Sequence, residues 1–236
     1  MKIQLSKIKN PTTPFKSPLG DLGVIAILLF LLSACTPKAV ETLPSVIEIV
    51  GNDSIYTEKL EQFCRYHNIE VSVYQWKNHA VLYGVFSDLG ETQKQLTTAF
   101  PDVGIKLYET PFYVFDRRNC DDKMTAKNWS HTIMTANLVA DETMQAEYMN
   151  YHATQAEKFP EVANGFCNAN FQQLLVFRNG RQLMLIISIP EGESLDELNP
   201  KTTENNPRVD EWNEIMAKYQ TGIEGTEEGE SWVVFK

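Results

Sequence analysis

The pattern of apolar and polar positions between residues 46 and 115 predicts strands and helices in the order β-α-β-β-α-β. Strands are expected where β-branched residues cluster or apolar residues alternate, and helices where apolar residues follow a 3.6-residue period. The expected strands are 46–50, 71–76 and 80–86, followed by a last extended stretch made of 105–108 and 112–115. The expected helices are 56–67 and 91–100. A turn at Lys77-Asn78-His79 separates the second strand from the third.

The pattern after residue 130 predicts the same order again. The expected strands are 132–140, 172–178, 182–189 and 231–235, and the expected helices are 144–155 and 209–219. Asp141 precedes the first of these helices and is a typical N-cap residue. Asn179-Gly180 lies between two strands and predicts a type I′ hairpin turn, in which both central residues have positive φ.

Two β-α-β-β-α-β units predict an α+β protein made of two tandem ferredoxin-like units. Residues 46–116 would form the N-terminal unit, 117–129 a polar linker and 130–236 the C-terminal unit. Each unit would leave one sheet face uncovered. Two such sheets in one chain can cover each other, so we expect a dimeric α/β barrel formed within a single polypeptide.

The N-terminus has the pattern of a bacterial secretory signal. Lysines precede an apolar run at 22–32 that is too short to span a bilayer, and Leu32-Ser33-Ala34-Cys35 resembles a lipobox. This predicts a signal peptide at 1–34, lipidation of Cys35, a tether at 35–45, and a periplasm-facing, membrane-anchored lipoprotein of the cell envelope. An ordinary signal peptide followed by an incidental cysteine is the alternative.

Charge and cysteine content exclude some classes of function. The net charge is −10, and removal of a leader with four lysines and one aspartate leaves −13, which argues against nucleic acid or anionic lipid heads as partners. Cys64, Cys120 and Cys167 have no zinc-site spacing. They allow one disulfide, whose pairing the sequence leaves open.

Tyr148 and His152 are the candidate chemical pair. They lie four residues apart in a predicted helix, so both side chains project from one face. Histidine titrates near neutral pH and can act as an acid or a base. The same spacing also fits a surface histidine near a helix end, and Tyr148 and Trp212 also fit core positions.

Residues 130–235 resemble the L-rhamnose mutarotase family. The resemblance rests on Glu147-Tyr148-Met149-Asn150-Tyr151-His152, Phe159-Pro160-Glu161, Asn206-Pro207-Arg208-Val209-Asp210-Glu211-Trp212 and Met216-Ala217-Lys218-Tyr219-Gln220. It implies that His152 is a general acid, Tyr148 a hydrogen-bond partner of the sugar, and Trp212 with Asn213 a surface for the sugar. Asn213 replaces the second tryptophan of the family's pair, and Leu174 lies near the position of a family aromatic.

The resemblance implies an aldose 1-epimerase that interconverts the α and β anomers of L-rhamnose or a similar deoxysugar, as a monomer or homodimer. Mutarotation moves a proton from the anomeric hydroxyl to the ring oxygen, so we expect neither a metal nor a redox cofactor. We expect the Tyr148/His152 pair to point into a cavity between the two sheets. Two alternatives are a non-catalytic monosaccharide-binding lipoprotein and a monooxygenase-like barrel enzyme, because this fold hosts several chemistries.

Overall fold

The signal peptide, Cys35 and most of the tether lie outside the residues that the structure describes. The structure, a computed structural model, describes residues 42–52 and 57–236. Within these ranges no helix has the length and apolar character needed to cross a membrane.

The first unit follows the order that its sequence pattern predicts. Its elements are β1 (Ser45–Val50), α1 (Thr57–Tyr66), β2 (Val71–Trp76), β3 (His79–Gly84), α2 (Leu89–Ala99) and β4 (Gly104–Tyr108). The four strands form an antiparallel sheet in the order β2-β3-β1-β4, which is the ferredoxin-like arrangement. Helices α1 and α2 pack on one face through apolar residues such as Leu60 and Leu96.

The second unit repeats this arrangement with additional helices. Its elements are β5 (Tyr113–Asp116), β6 (Trp129–Leu138), α3 (Glu142–Ala153), α4 (Gln155–Lys158), α5 (Pro160–Asn168), β7 (Gln173–Asn179), β8 (Gln182–Pro190), α6 (Leu195–Leu198), α7 (Pro207–Ala217), β9 (Gln220–Thr221) and β10 (Val233–Phe235). The sheet order is β10-β6-β8-β7-β5, and β9 pairs with β6. Without β5, this is again the ferredoxin-like order.

The two sheets cover each other, which confirms the predicted fold class. Val46 and Tyr108 from the first sheet share one buried cluster with Leu175, Phe177 and Ile186 from the second. Backbone hydrogen bonds between Gln75 and Lys236, of 2.7 and 2.9 Å, also join β2 to the chain end after β10. All of these elements lie in one compact unit, and the arrangement is a barrel-like pair of ferredoxin-like halves.

A buried polar cluster lies between the sheets. Glu48 of β1 is fully buried and accepts hydrogen bonds from His79 (2.7 Å), Tyr108 (2.9 Å) and Gln182 (2.9 Å). Lys106 lies 3.4 Å from the same carboxylate. Because Gln182 belongs to β8 and the other groups to the first sheet, this carboxylate connects the two units directly.

Strand β5 belongs to a different sheet from the one that the sequence pattern suggests. The pattern placed residues 112–115 at the end of the first unit, but Tyr113 pairs with Val176 and Phe115 with Leu174 of β7. Edge strands expose unpaired backbone groups, and β5 covers this edge of β7. The following segment, which we expected to be a linker, is held by a disulfide between Cys120 and Cys167 of α5.

Local signals around β6, β7 and β8 gave one correct and one wrong prediction. Asp141 caps α3, and its carboxylate accepts a hydrogen bond from the backbone N–H of Met144 at 2.9 Å. The prediction of a type I′ turn at Asn179-Gly180 was wrong. Asn179 pairs with Gln182, so the two central residues are Gly180 and Arg181, and of these Gly180 alone has positive φ, at 59°. A glycine with positive φ at the first central position is typical of a type II′ turn.

Candidate active site between the second sheet and its helices

Helix α3 places Tyr148 and His152 against the second sheet. Tyr148 is buried and His152 is partly buried near the end of the helix. Their ring centroids lie 4.4 Å apart, as expected for side chains one helical turn apart. The candidate pair therefore faces the protein interior, and the imidazole does not project into bulk solvent.

The hydrogen bond at Nδ1 fixes the proton position of His152. Nδ1 lies 3.1 Å from the backbone carbonyl oxygen of Tyr148, and a carbonyl oxygen can only accept, so Nδ1 carries the hydrogen. In the neutral ring Nε2 then has a free lone pair. Burial lowers the pKa of His152 to about 4, although the bond to the Tyr148 carbonyl acts in the opposite direction. At neutral pH the ring is therefore uncharged and able to accept a proton.

Three aromatic side chains surround the imidazole besides Tyr148. Tyr113 of β5 lies 5.3 Å away between ring centroids, Trp212 of α7 lies 5.2 Å away, and Phe112 lies 5.5 Å away. All three meet it edge to face. This apolar enclosure excludes water from the ring, which explains the direction of the pKa shift.

The pair lines a cavity of about 300 Å³ on the outer face of the second sheet. Leu174 and Val176 of β7 form part of its floor, and Trp212 with Met216 of α7 forms part of its wall. The expected position between the two sheets was wrong, because the buried core cluster of both sheets fills that space. Side chains alternate along a strand, so the neighbours of these floor residues fill the core while the floor faces the helices.

Two consecutive side-chain hydrogen bonds orient the Tyr148 phenol. The Trp232 indole donates to Gln220 Oε1 at 2.9 Å, which leaves the Gln220 amide nitrogen to donate to the Tyr148 hydroxyl oxygen at 3.5 Å. Burial raises the pKa of Tyr148 above its ordinary value, so the phenol keeps its proton. That proton has no acceptor among the described residues and is available to a ligand.

The cavity lining combines polar and apolar groups. Tyr113, Tyr148, Asn199 and Gln220 provide polar groups, and no Lys, Arg, Asp or Glu of the described chain lines it. No three His, Cys, Asp or Glu side chains in 42–52 and 57–236 lie close enough to hold a metal ion. Hydroxyl, amide and aromatic groups around an apolar floor suit a neutral ligand with several hydroxyls.

The sequence-derived candidates lie at different depths in this site. Tyr148, His152 and Trp212 meet around the cavity, and Asn213 lines its rim as an exposed residue. Leu174 contributes only an aliphatic side chain. The sequence reasoning missed other lining groups, among them Tyr113, Gln220 and Trp232. The aromatic run Phe112-Tyr113-Val114-Phe115 was a possible signal for Tyr113, because aromatic and β-branched residues favour a half-buried strand.

The C-terminal part of the chain, which forms most of the cavity, is similar to known proteins. Residues 132–236 match the family model described as L-rhamnose mutarotase. An L-fucose mutarotase from Xanthomonas campestris pv. campestris is 28% identical over 93 residues, which cover 39% of this chain and 72% of that protein. The matched part is somewhat less than half of the chain and contains every helix that surrounds the cavity.

Two solved structures resemble most of the chain at low similarity. A putative monooxygenase from Fusobacterium nucleatum has 8% identity and a TM-score of 0.44, covering 83% of this chain and 91% of its own. A heme-degrading enzyme from Listeria monocytogenes has 14% identity and a TM-score of 0.40, covering 81% and 97%.

The fold and the cavity define a ferredoxin-like α+β protein with a neutral small-molecule site on one sheet. Within it, residues 132–236 match the L-rhamnose mutarotase family, and an L-fucose mutarotase is similar over 93 residues. Both similarities point to the sugar mutarotases, enzymes that interconvert the two anomers of a sugar.

Proposed function

We propose that this protein is a mutarotase for L-rhamnose or a similar 6-deoxyhexose. The observation that carries the proposal is the uncharged His152 ring, whose Nε2 is free, in a cavity shared with the Tyr148 phenol. A pyranose carries both hydroxyl groups and apolar C–H surface. The polar side chains of the cavity can bind the hydroxyl groups, and its aromatic and aliphatic side chains can pack against the C–H surface.

The chemistry requires only one proton to move between two oxygens of the sugar. His152 Nε2 takes the proton of the anomeric hydroxyl, the C1–O1 bond becomes a carbonyl, and the bond from C1 to the ring oxygen breaks. The imidazolium then gives the same proton to the ring oxygen. Rotation about C1–C2 and the reverse steps close the ring from the other face. Because both oxygens are bonded to C1, one nitrogen can serve them in turn, and His152 acts as base and then as acid.

The remaining side chains hold the sugar during this transfer. Tyr148 donates a hydrogen bond to an oxygen at the reacting carbon, where negative charge develops. The Trp212 ring provides an apolar surface for sugar C–H groups. Leu174, Val176 and Ile187 form an aliphatic floor that accommodates a methyl group better than a hydroxymethyl group, since a buried hydroxyl without a partner costs free energy.

The names of the matching family and relative support the same class of sugar. L-rhamnose and L-fucose are both 6-deoxyhexoses, and both carry a methyl group where most hexoses carry a hydroxymethyl group. Asn213 at the rim and Leu174 on the floor stand where the family has aromatic residues. These two side chains therefore influence which 6-deoxyhexose this protein prefers.

Magnetisation-exchange NMR of the mature chain tests the proposal. The protein should accelerate exchange between the α and β anomers of L-rhamnose, L-fucose or a related deoxysugar. Its acceleration of the same exchange in glucose and galactose should be smaller. Sugar binding without faster exchange would select the non-catalytic binding protein instead. Absence of both, across the panel, would disprove the proposal.

The pH dependence should follow the displaced pKa of His152. The uncharged ring is the active form, so kcat/KM should stay nearly constant from pH 8 to pH 5 and fall about tenfold per pH unit once the pH is below about 4. An ordinary histidine would give a half-point near 6.5. Spontaneous acid-catalysed exchange is measured without protein and subtracted. A rate that increases as the pH falls from 8 to 5 would show that the protonated ring is the active form.

We propose further that the protein is exported and anchored through lipidated Cys35, on the sequence evidence of the leader and lipobox. Cells labelled with an alkyne analogue of palmitate should incorporate the label into the protein and retain it in the membrane fraction. Cys35→Ala should lose both label and membrane retention, whereas Cys64→Ala should keep them. Equal labelling of the two variants would contradict lipidation at Cys35.

A further inference from the structure

Strand β5 brings chain from outside the mutarotase-like segment into the candidate site. It precedes residue 132, where the family match begins, and pairs in antiparallel register with β7. The backbone N–H of Phe112 donates to the Val176 carbonyl oxygen at 2.9 Å, which extends this pairing by one residue. Beyond the strand, the disulfide from Cys120 to Cys167 attaches this segment to α5.

The register of β5 directs the Tyr113 ring into the cavity. Tyr113 lies opposite Val176, and side chains of paired residues project from the same face of a sheet, so both reach the cavity. Strand β7 itself presents aliphatic side chains there, those of Leu174 and Val176. The phenol that lies next to His152 on the sheet side therefore comes from β5.

The hydrogen bonds of Gln155 determine what the Tyr113 hydroxyl can offer a ligand. Gln155 is buried, and its amide nitrogen donates to the Phe159 carbonyl oxygen at 2.6 Å. Its amide oxygen consequently faces Tyr113 and accepts the phenol proton at 3.1 Å. With the proton committed to Gln155, the Tyr113 oxygen presents lone pairs to the cavity. Tyr113 is thus an acceptor, whereas Tyr148, whose oxygen receives the Gln220 amide, is a donor.

We propose that Tyr113 is a substrate-positioning residue that accepts a hydrogen bond from a sugar hydroxyl away from the reacting carbon. The inference rests on the proposed function, and it adds that the site is completed by chain outside the family segment. A donor phenol and an acceptor phenol, both in ring contact with His152, orient the sugar ring so that the anomeric hydroxyl meets Nε2. The first half of the protein then provides part of the specificity as well as the cover of a sheet.

Tyr113→Phe in the otherwise unaltered mature chain tests this inference. Loss of one neutral hydrogen bond should raise KM for the preferred sugar about three- to tenfold, with kcat changed by less than about twofold. The half-point of the pH profile should stay near 4, because the His152 environment keeps its aromatic ring. Deoxy analogues that lack one hydroxyl each should identify the partner. The analogue without that hydroxyl should bind the variant and the wild type equally well.

Tyr151→Phe is the matched control. Tyr151 belongs to the same helix and packs against Phe159 and Tyr219, but it does not line the cavity. This variant also loses one phenol hydroxyl and should leave KM unchanged. Equal KM values for Tyr113→Phe and wild type with every sugar would overturn the inference.

The outcomes separate this inference from the proposed function. If the protein has exchange activity and Tyr113→Phe does not change it, the mutarotase proposal stands and the role of Tyr113 is wrong. Sugar binding without exchange, weakened three- to tenfold by Tyr113→Phe in titration, retains the role of Tyr113 and removes the catalysis. Absence of both binding and exchange overturns both.

Discussion

Replacing His152 by alanine should slow anomer exchange by about 10²- to 10⁴-fold, the usual contribution of a positioned acid–base group. The variant removes the nitrogen that moves the proton between the two sugar oxygens. The fold should survive, because His152 is partly buried and its hydrogen bond goes to a helical carbonyl. Exchange rates at saturating sugar, together with thermal unfolding, measure both effects.

His67 provides an internal control for this variant. It follows α1 in the first unit and packs on Phe63, four residues earlier, with the same 4.4 Å between ring centroids as His152 and Tyr148. Phe63 has no hydroxyl, and His67 does not line the candidate active site. His67→Ala should therefore retain wild-type exchange. A folded His152→Ala that keeps more than a tenth of the wild-type rate would remove His152 from the mechanism.

Replacing Glu48 by alanine should reduce the free energy of unfolding by about 3–5 kcal/mol, the cost of breaking a buried ion pair from one side. Hydrogen-bond donors from His79, Tyr108 and Gln182, together with the Lys106 charge, would lose their common acceptor between the sheets. A change of this size corresponds to a melting temperature lower by roughly 10 °C in a domain of this length. Urea unfolding measures the free energy.

The pH dependence of stability gives a second measure of the same carboxylate. Burial raises the pKa of Glu48, but the hydrogen bond from His79, the Lys106 charge and the bond from Gln182 together lower it below its ordinary value. A lowered folded-state pKa contributes stability above the ordinary value and loses it as the pH falls through the folded-state value. Glu48→Gln should therefore cost less than alanine and should reduce the loss of stability in acid.

Glu61→Ala is the control for Glu48. Glu61 is exposed on α1 and pairs with exposed Arg65, so its removal should change stability by less than about 0.5 kcal/mol. If Glu48→Ala costs no more than this control, the cluster between the sheets does not stabilise the association of the two halves.

The two largest expected effects concern different faces of the second sheet. The inner face packs on the first sheet around Glu48, and the outer face forms the candidate active site with its own helices. Strand β7 contributes Leu175 and Phe177 to the first and Leu174 and Val176 to the second. A substitution at Leu175 or Phe177 should therefore affect mainly stability, whereas one at Leu174 or Val176 should affect mainly activity.

The sequence by itself determined the order of the elements and the main chemical pair. Alternating strands and helices with apolar stripes appear directly as periods of 2 and 3.6 residues, so both β-α-β-β-α-β units were predictable. Tyr148 and His152 could be recognised for the same reason, because spacing within a helix fixes which side chains share a face. The cap at Asp141 was predictable because its hydrogen bond is local.

Only the tertiary structure decided which faces meet and what each cavity contains. The sequence pattern of β1 reads as an ordinary strand, and the role of Glu48 depends on Lys106 and Gln182, which are distant in sequence. The pattern could not show that β5 leaves its own unit to pair with β7, because backbone pairing is available to any exposed edge. Consequently the sequence placed the site between the sheets and missed Tyr113, whereas side-chain alternation in the folded sheet puts both on the outer face.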